Sequence, residues 1–245
     1  VRNLKLTIEY DGTRYHGWQV QPNQPTIQGC IEAVFEQISG GKAQHMVGAS
    51  RTDAGVHAQG QVATILTDLS MPLPRLLNTL NRLLPGDIAI HDIYDVPLAF
   101  HARRSARSKR YRYAILNRVI HAPLLRYTCW HIEDFLHLDQ MQEGLMLFKG
   151  RHDFSAFNAA GNDFVHAIRD VLDVDLLTEG EMVFIEIEAT AFVKQMVRNI
   201  VGTIVEIGLG KRSVDDMARL IASKDRSQCA PPAPPHGLTL LHVRY

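Results

Sequence analysis

The chain is poor in the residues that would tie it to several large classes of chemistry. It has three cysteines in 245 residues, Cys30, Cys129 and Cys229, spaced roughly a hundred positions apart. None sits in a Cys-x-x-Cys or Cys/His group, so neither a zinc site nor a disulfide framework is suggested, and a reducing cytoplasm fits. No apolar run approaches a membrane-spanning length, and the opening VRNLKLTIEY is no signal peptide. A membrane partner is therefore not expected. Lys and Arg total 26 against 26 Asp and Glu, a formal net charge of zero, which argues against a globally basic nucleic-acid binder. A glycine-rich phosphate loop ending in Lys-Ser or Lys-Thr is missing, and so is the Gly-x-Ser-x-Gly elbow of serine hydrolases. Metal and nucleotide cofactors are accordingly not expected.

What is present is unevenly distributed. Six of the twelve residues from His101 to Arg112 are basic: Arg103, Arg104, Arg107, Lys109, Arg110 and Arg112. Arginine forks grip phosphate bidentately and stack on bases, so the cluster suits RNA. A solvated linker has the same composition.

Hydrophobic patterning predicts a strand at Lys5–Tyr10, where Leu4, Leu6 and Ile8 alternate with polar residues. A helix capped by Thr26 should run to Ile38, followed by a strand near Ala43–Gly48 and another at Gln61–Leu66. Ser70 and Pro72 should open a helix to Leu84, and Asp87–Val96 should be a strand. In the second half, strands are expected at Lys109–Leu116, Ala167–Leu177, Met182–Thr190 and Leu238–Tyr245. Helices are expected over Leu138–Phe148 and Phe192–Leu209. Each half then reads β-α-β-β-α-β. The expected fold class is α+β, with two ferredoxin-like, RRM-like halves sharing a mostly antiparallel sheet with a central cleft. The expected domains are 1–104 and 105–245. Such a unit packs both helices on one sheet face, and the other face must be covered or used, as RNA-recognition domains use it.

The expected connection Ala49–Gly60, ASRTDAGVHAQG, is longer than a hairpin needs, and such surplus is more often functional than filler. It carries one carboxylate, Asp53, with Arg51 two positions before it, and no other acidic residue lies within fourteen positions of Asp53. A local magnesium site of paired carboxylates is thereby excluded. Two readings remain for Thr52-Asp53-Ala54-Gly55. It is a plain turn, since Asp and Gly form turns readily, or it presents a lone carboxylate nucleophile that a nearby arginine keeps ionised.

"SRTDAGVHAQGQVA" resembles the TruA family of tRNA pseudouridine synthases. So do "EYDGTRYHGWQVQPNQPTIQG" (9–29), "FHARRSARSKRYRYAILN" (100–117), "GRHDFSAFN" (150–158), "FVKQMVRNIVGTIVEIGLG" (192–210) and "APPHGLTLLHVRY" (233–245). The resemblance spans essentially the whole chain. Two departures stand out: Ser50 where the family usually has Gly, and Lys194-Gln195 where an aromatic pair commonly stands.

The resemblance implies isomerisation of uridine to pseudouridine at positions 38, 39 and 40 of the tRNA anticodon stem-loop, by a cytoplasmic homodimer without metal or small-molecule cofactor. It assigns Asp53 as nucleophile, Tyr111 as the residue stacking on the base and taking the C5 proton, and Arg198 as the arginine paired with the aspartate. Leu238 packs under the uracil, and Arg51 helps hold the flipped nucleotide. Arg14, Arg103, Arg104, Arg107, Lys109 and Arg110 are expected at the RNA backbone. A noncatalytic RRM-like RNA-binding protein would need that basic cluster but not Asp53, and a synthase acting on other uridines would need both.

Overall fold

A computed structural model describes residues 1–42, 45–159 and 167–245. It divides into two compact units, Val1–Arg107 with Thr239–Tyr245, and Ser108–Leu238. Both mix helix and sheet, so the chain is α+β. Among the described residues, no helix is long and apolar enough to cross a membrane.

The first unit runs β1 (Arg2–Tyr10), α1 (Ile27–Ile38), β2 (Met46–Gly48), β3 (His57–Thr67), α2 (Leu73–Leu83) and β4 (Ile88–Val96), the order the patterning predicts. Helix α1 starts where expected because the Thr26 hydroxyl accepts the Gly29 N–H at 3.2 Å. Ala43, the expected start of the second strand, lies outside the described residues. Helix α2 opens at Leu73 behind Pro72 with no side-chain cap, so Ser70 does not start it. Strands β1, β3 and β4 form an antiparallel sheet in the order β4-β1-β3, with β2 antiparallel to the far half of β3.

Leu4 pairs with Ile65 and Leu6 with Ala63, all four buried on one face. Asn3, Lys5 and Thr7 alternate onto the other face. That face is partly covered by the chain from Pro97 to Ser105. Asn3 Nδ2 donates to the Pro97 and Phe100 carbonyls at 3.1 and 2.9 Å, and the Ala102 N–H donates to Thr64 Oγ1 at 3.4 Å. The Lys5 ammonium lies 5.9 Å from the Phe100 ring centroid and 4.9 Å from that of Tyr245. The face that RNA-recognition domains leave open is thus in part occupied by the protein itself.

The second unit contains β5 (Ser108–Asn117), β6 (Trp130–Ile132), α3 (Leu138–Met146), β7 (Gly150–Asp153), β8 (Ile168–Glu179), β9 (Met182–Ala189), α4 (Met196–Gly208) and α5 (Val214–Ser223). Its antiparallel order is β5-β9-β8-β7, with β6 parallel to β5. Glu179 faces Met182 across a two-residue loop whose Gly180 has φ +60°, a turn that only glycine enters freely. Helix α4 begins four residues after the expected Phe192. Gln195 takes a left-handed φ of +59°, and the Met196 N–H turns back to the Val193 carbonyl, which keeps Phe192 and Val193 out of the helix. The last strand, β10 (Leu238–Arg244), pairs in parallel with the start of β3 through Thr239–His57 and Leu240–Ala58.

Strand β5 sorts its side chains strictly. Tyr111, Tyr113 and Ile115 are buried on one face, while Arg110 and Arg112 meet an acidic ladder on the other. Arg110 bonds Glu186 Oε2 at 2.5 Å, Asp173 Oδ2 at 3.1 Å and Asp175, with Glu188 at 3.4 Å. Burial raises the Glu186 carboxyl, but hydrogen bonds from Arg110 and Arg112 outweigh it and hold the group below its ordinary value. The Arg110 hydrogen bond lowers Asp173 likewise. Both carboxylates stabilise the fold above the usual carboxylate pKa, and this is lost as pH falls through their lowered folded values. Arg110→Met should cost about 3 kcal/mol at neutral pH, because it removes the cation that Glu186 and Glu188 share and leaves the buried pair to Arg112 and the Ser108 hydroxyl. Protonation relieves that cost, so thermal unfolding should show a larger drop in Tm at pH 7 than at pH 4.

Candidate active site

Strand β3 begins at His57, not Gln61, so the connection from β2 spans only residues 49–56. Thr52-Asp53-Ala54-Gly55 does form a turn: the Val56 N–H donates to the Asp53 carbonyl at 3.2 Å, and Gly55 has φ +77°. That turn places Asp53 half-buried at the head of β3, between exposed Arg51 and exposed Ala54. The turn and the presentation of the carboxylate are one structural feature.

Three braces hold the turn, all within the first unit. Gln61, fully buried on β3, donates from Nε2 to the Ser50 carbonyl at 2.7 Å and accepts the Ser50 N–H at Oε1 at 3.2 Å. Its amide imitates a peptide group and extends the pairing of β2 past its last residue. Tyr10 Oη and Thr52 Oγ1 share a buried hydrogen bond of 2.8 Å. The third brace is the segment from Gly12 to Trp18. The Trp18 N–H donates to the Thr52 carbonyl at 3.1 Å and the Gly55 N–H to the Tyr15 carbonyl at 3.3 Å. Gly17, at φ +86°, lies so close that a Cβ there would stand 2.5 Å from the Thr52 carbonyl oxygen. Trp18 is buried, its ring centroid 6.1 Å from that of Tyr10. Arg14 is exposed and bonds Asp87 through Nε at 3.0 Å.

The basic cluster is split between exposed and engaged cations. A turn in which His101 Nδ1 accepts the Arg103 and Arg104 N–H groups, each at 3.2 Å, presents both guanidinium groups outward. Arg107 is exposed as well. Arg104 also lines an open groove of about 610 Å³ with Asn3, Lys42, His45, Leu66 and His101. Lys109 is buried, and Arg110 directs its donors at the acidic ladder.

In the second unit, the structure gathers Tyr111, Arg198 and Leu238 around a residue the sequence did not single out, Tyr113. Tyr111 shares its strand face, is 5 % exposed and meets Phe192 edge-on with centroids 5.0 Å apart. Arg198, buried on α4, donates from Nε to the Ala233 carbonyl at 2.8 Å. The Arg198 charge also pulls on the Tyr113 hydroxyl, though burial dominates and pushes that phenol far above its ordinary pKa. Leu238 is buried next to Gly237, which packs on the Tyr113 ring. Only the two-residue period from Tyr111 hinted at Tyr113, and nothing local marked Gln61.

The chain is similar to known proteins throughout. A family model described as tRNA pseudouridine synthase matches residues 6–103 and 145–245. A tRNA pseudouridine synthase A of Geobacter sp. (strain M21) is 45% identical over 246 residues, covering 100% of this chain and 99% of its own. The Acetivibrio thermocellus protein of that name is 44% identical over 245 residues and all of both chains. That of Myxococcus xanthus is 45% identical over 243 residues, 99% of this chain and 91% of its own.

The Gln61 brace makes a direct prediction. Gln61→Leu strands the N–H and carbonyl of Ser50 in a buried place and should lower stability by about 2 kcal/mol. Gln59→Leu, at an exposed position two residues away, should change it by less than about 0.5 kcal/mol. Urea unfolding of both variants checks the difference.

Proposed function

The chain belongs to the tRNA pseudouridine synthase family, and from that premise we propose that Asp53 is the nucleophile with which it isomerises uridine in tRNA. The observation that carries this reading is the turn at Asp53. A reaction resting on one carboxylate needs that carboxylate held in a single geometry, and three independent braces converge on Ser50, Thr52 and Gly55. The glycosidic bond from N1 to C1′ breaks, uracil turns within the pocket, and C5 bonds C1′. C5 gives up a proton and N1 gains one, so no electrons are exchanged with an outside reagent. Asp53 assists departure by attack at C1′ or by promoting the glycal.

Tyr111 is proposed to stack on the base and take the C5 proton, and Leu238 to floor the pocket. Arg198 is proposed as the counter-charge that the family motif assigns to the aspartate. Arg51 would hold the flipped nucleotide, and Arg14, Arg103, Arg104 and Arg107 would meet RNA phosphates. Lys109 and Arg110 share the basic motif. To reach a phosphate, Arg110 must give up one of its carboxylates. The proposed substrate region is the anticodon stem-loop at positions 38, 39 and 40, acted on in the cytoplasm by a homodimer.

Asp53→Ala should abolish tritium release from tRNA labelled at C5 of uridine while tRNA binding persists. Release by the wild type should be undiminished in excess EDTA without added nucleotide. Continued release by Asp53→Ala would overturn the assignment. Arg198→Met should lower kcat at least tenfold and change tRNA Kd less than threefold. Loss of affinity alone would make Arg198 a phosphate contact.

A further inference from the structure

The segment "CAPPAPPHGL" (229–238) closes the second unit and has few main-chain donors of its own. Between Pro231 and Pro235 every residue but Ala233 is proline, so Ala233 has the one N–H available there. That N–H donates to the Arg198 carbonyl at 3.0 Å, and the Ala233 carbonyl accepts from Arg198 Nε at 2.8 Å. Arg198 thus grips one peptide residue with its main chain on one side and its guanidinium on the other. The next carbonyl, that of Pro234, accepts the Tyr113 hydroxyl at 2.7 Å. Three residues further on, a Cβ on Gly237 would stand 2.6 Å from Cζ of the Tyr113 ring. Tyr113 itself is fully buried and cannot meet substrate.

The geometry points to Tyr113 as a positioning residue for the isomerisation. It fixes the proline strap at Pro234 and Gly237, on either side of which lie the carbonyl that aims the Arg198 fork and the side chain of Leu238. The inference rests on the reading of Arg198 and Leu238 as site residues. Proline makes the strap stiff without anchoring it, since a ring nitrogen donates nothing. Its position relative to α4 therefore rests on Ala233, on the Tyr113 hydroxyl and on the seat of Pro231, whose carbonyl oxygen would lie 2.2 Å from a Cβ on Gly202. Arg226 steadies the far end, donating to the Cys229 and Ala230 carbonyls, each at 3.3 Å, and to Asn199 Oδ1 at 3.1 Å.

Tyr113→Phe removes the hydroxyl and leaves the ring under Gly237. It should lower kcat on tRNA about tenfold, the factor expected for one lost hydrogen bond at the reacting geometry. KM and tRNA Kd should stay within twofold of wild type. In combination with Arg198→Lys it should cost no more than Arg198→Lys alone, because both changes release the same strap. Gly237→Ala, whose methyl group would collide with the hydroxyl end of the ring, should lower kcat without adding to Tyr113→Phe, and it serves if Tyr113→Phe does not fold. A Tyr113→Phe enzyme that melts earlier but keeps wild-type kcat overturns the proposal and leaves a plain core tyrosine. Losses that multiply with those of Arg198→Lys overturn it as well. Wild-type turnover by Arg198→Lys overturns the reading of Arg198 and this inference with it, whereas slow turnover there beside normal Tyr113→Phe overturns the inference alone.

Discussion

Strand β3 has an edge that two other strands must share. Strand β10 pairs with its first residues in parallel and β2 with its later ones in antiparallel. Between them the Ala49 N–H reaches the Val62 carbonyl at 2.7 Å, and Ser50 is met by the Gln61 side chain instead of by main chain. Backbone groups buried beside a sheet must find partners, so the chain can leave the edge only where pairing passes from one neighbour to the other. The turn bearing Asp53 leaves there. Gly60 completes the arrangement, because a Cβ at that position would run into the Leu241 carbonyl of β10.

The second unit solves a related problem with other means. Helix α4 is buried over almost its whole length, and a guanidinium on such a helix is tolerated only where its donors are satisfied. The Ala233 carbonyl supplies one acceptor. The strap that offers it is rigid by composition and placed by a tyrosine hydroxyl. In both units, then, irregular chain beside the proposed site residues, the turn of Asp53 and the strap leading to Leu238, is held still by side-chain hydrogen bonds from regular strands. Reacting groups depend on such stillness, since small misplacements of them are costly.

Much of this was legible in advance where the cause is local. The alternation of Leu4, Leu6 and Ile8 and the Thr26 cap each act over a few residues, and β1 and α1 stand where these signals put them. Helix α5 was missed although Ser213 and Asp216 form a reciprocal capping box, a signal of the same local kind. The late start of α4 was not legible: Phe192 and Val193 fit the apolar stripe, and only the left-handed Gln195 excludes them. The length of the reactive connection was overestimated for another reason. His57 to Gly60 alternates poorly by itself, and its first two residues become strand through pairing with Thr239 and Leu240 and, at Ala58, with Tyr10.

The sequence by itself determined the order of elements in the first half and the main ones of the second, the solitary carboxylate in its loop and the family, because each depends on residue identity at short spacing. Tertiary structure alone decided what holds the loop, which face of the first sheet is covered, and that Arg110 faces carboxylates. Those outcomes depend on which distant residues meet, and they are set by the need to satisfy every buried donor and acceptor at once.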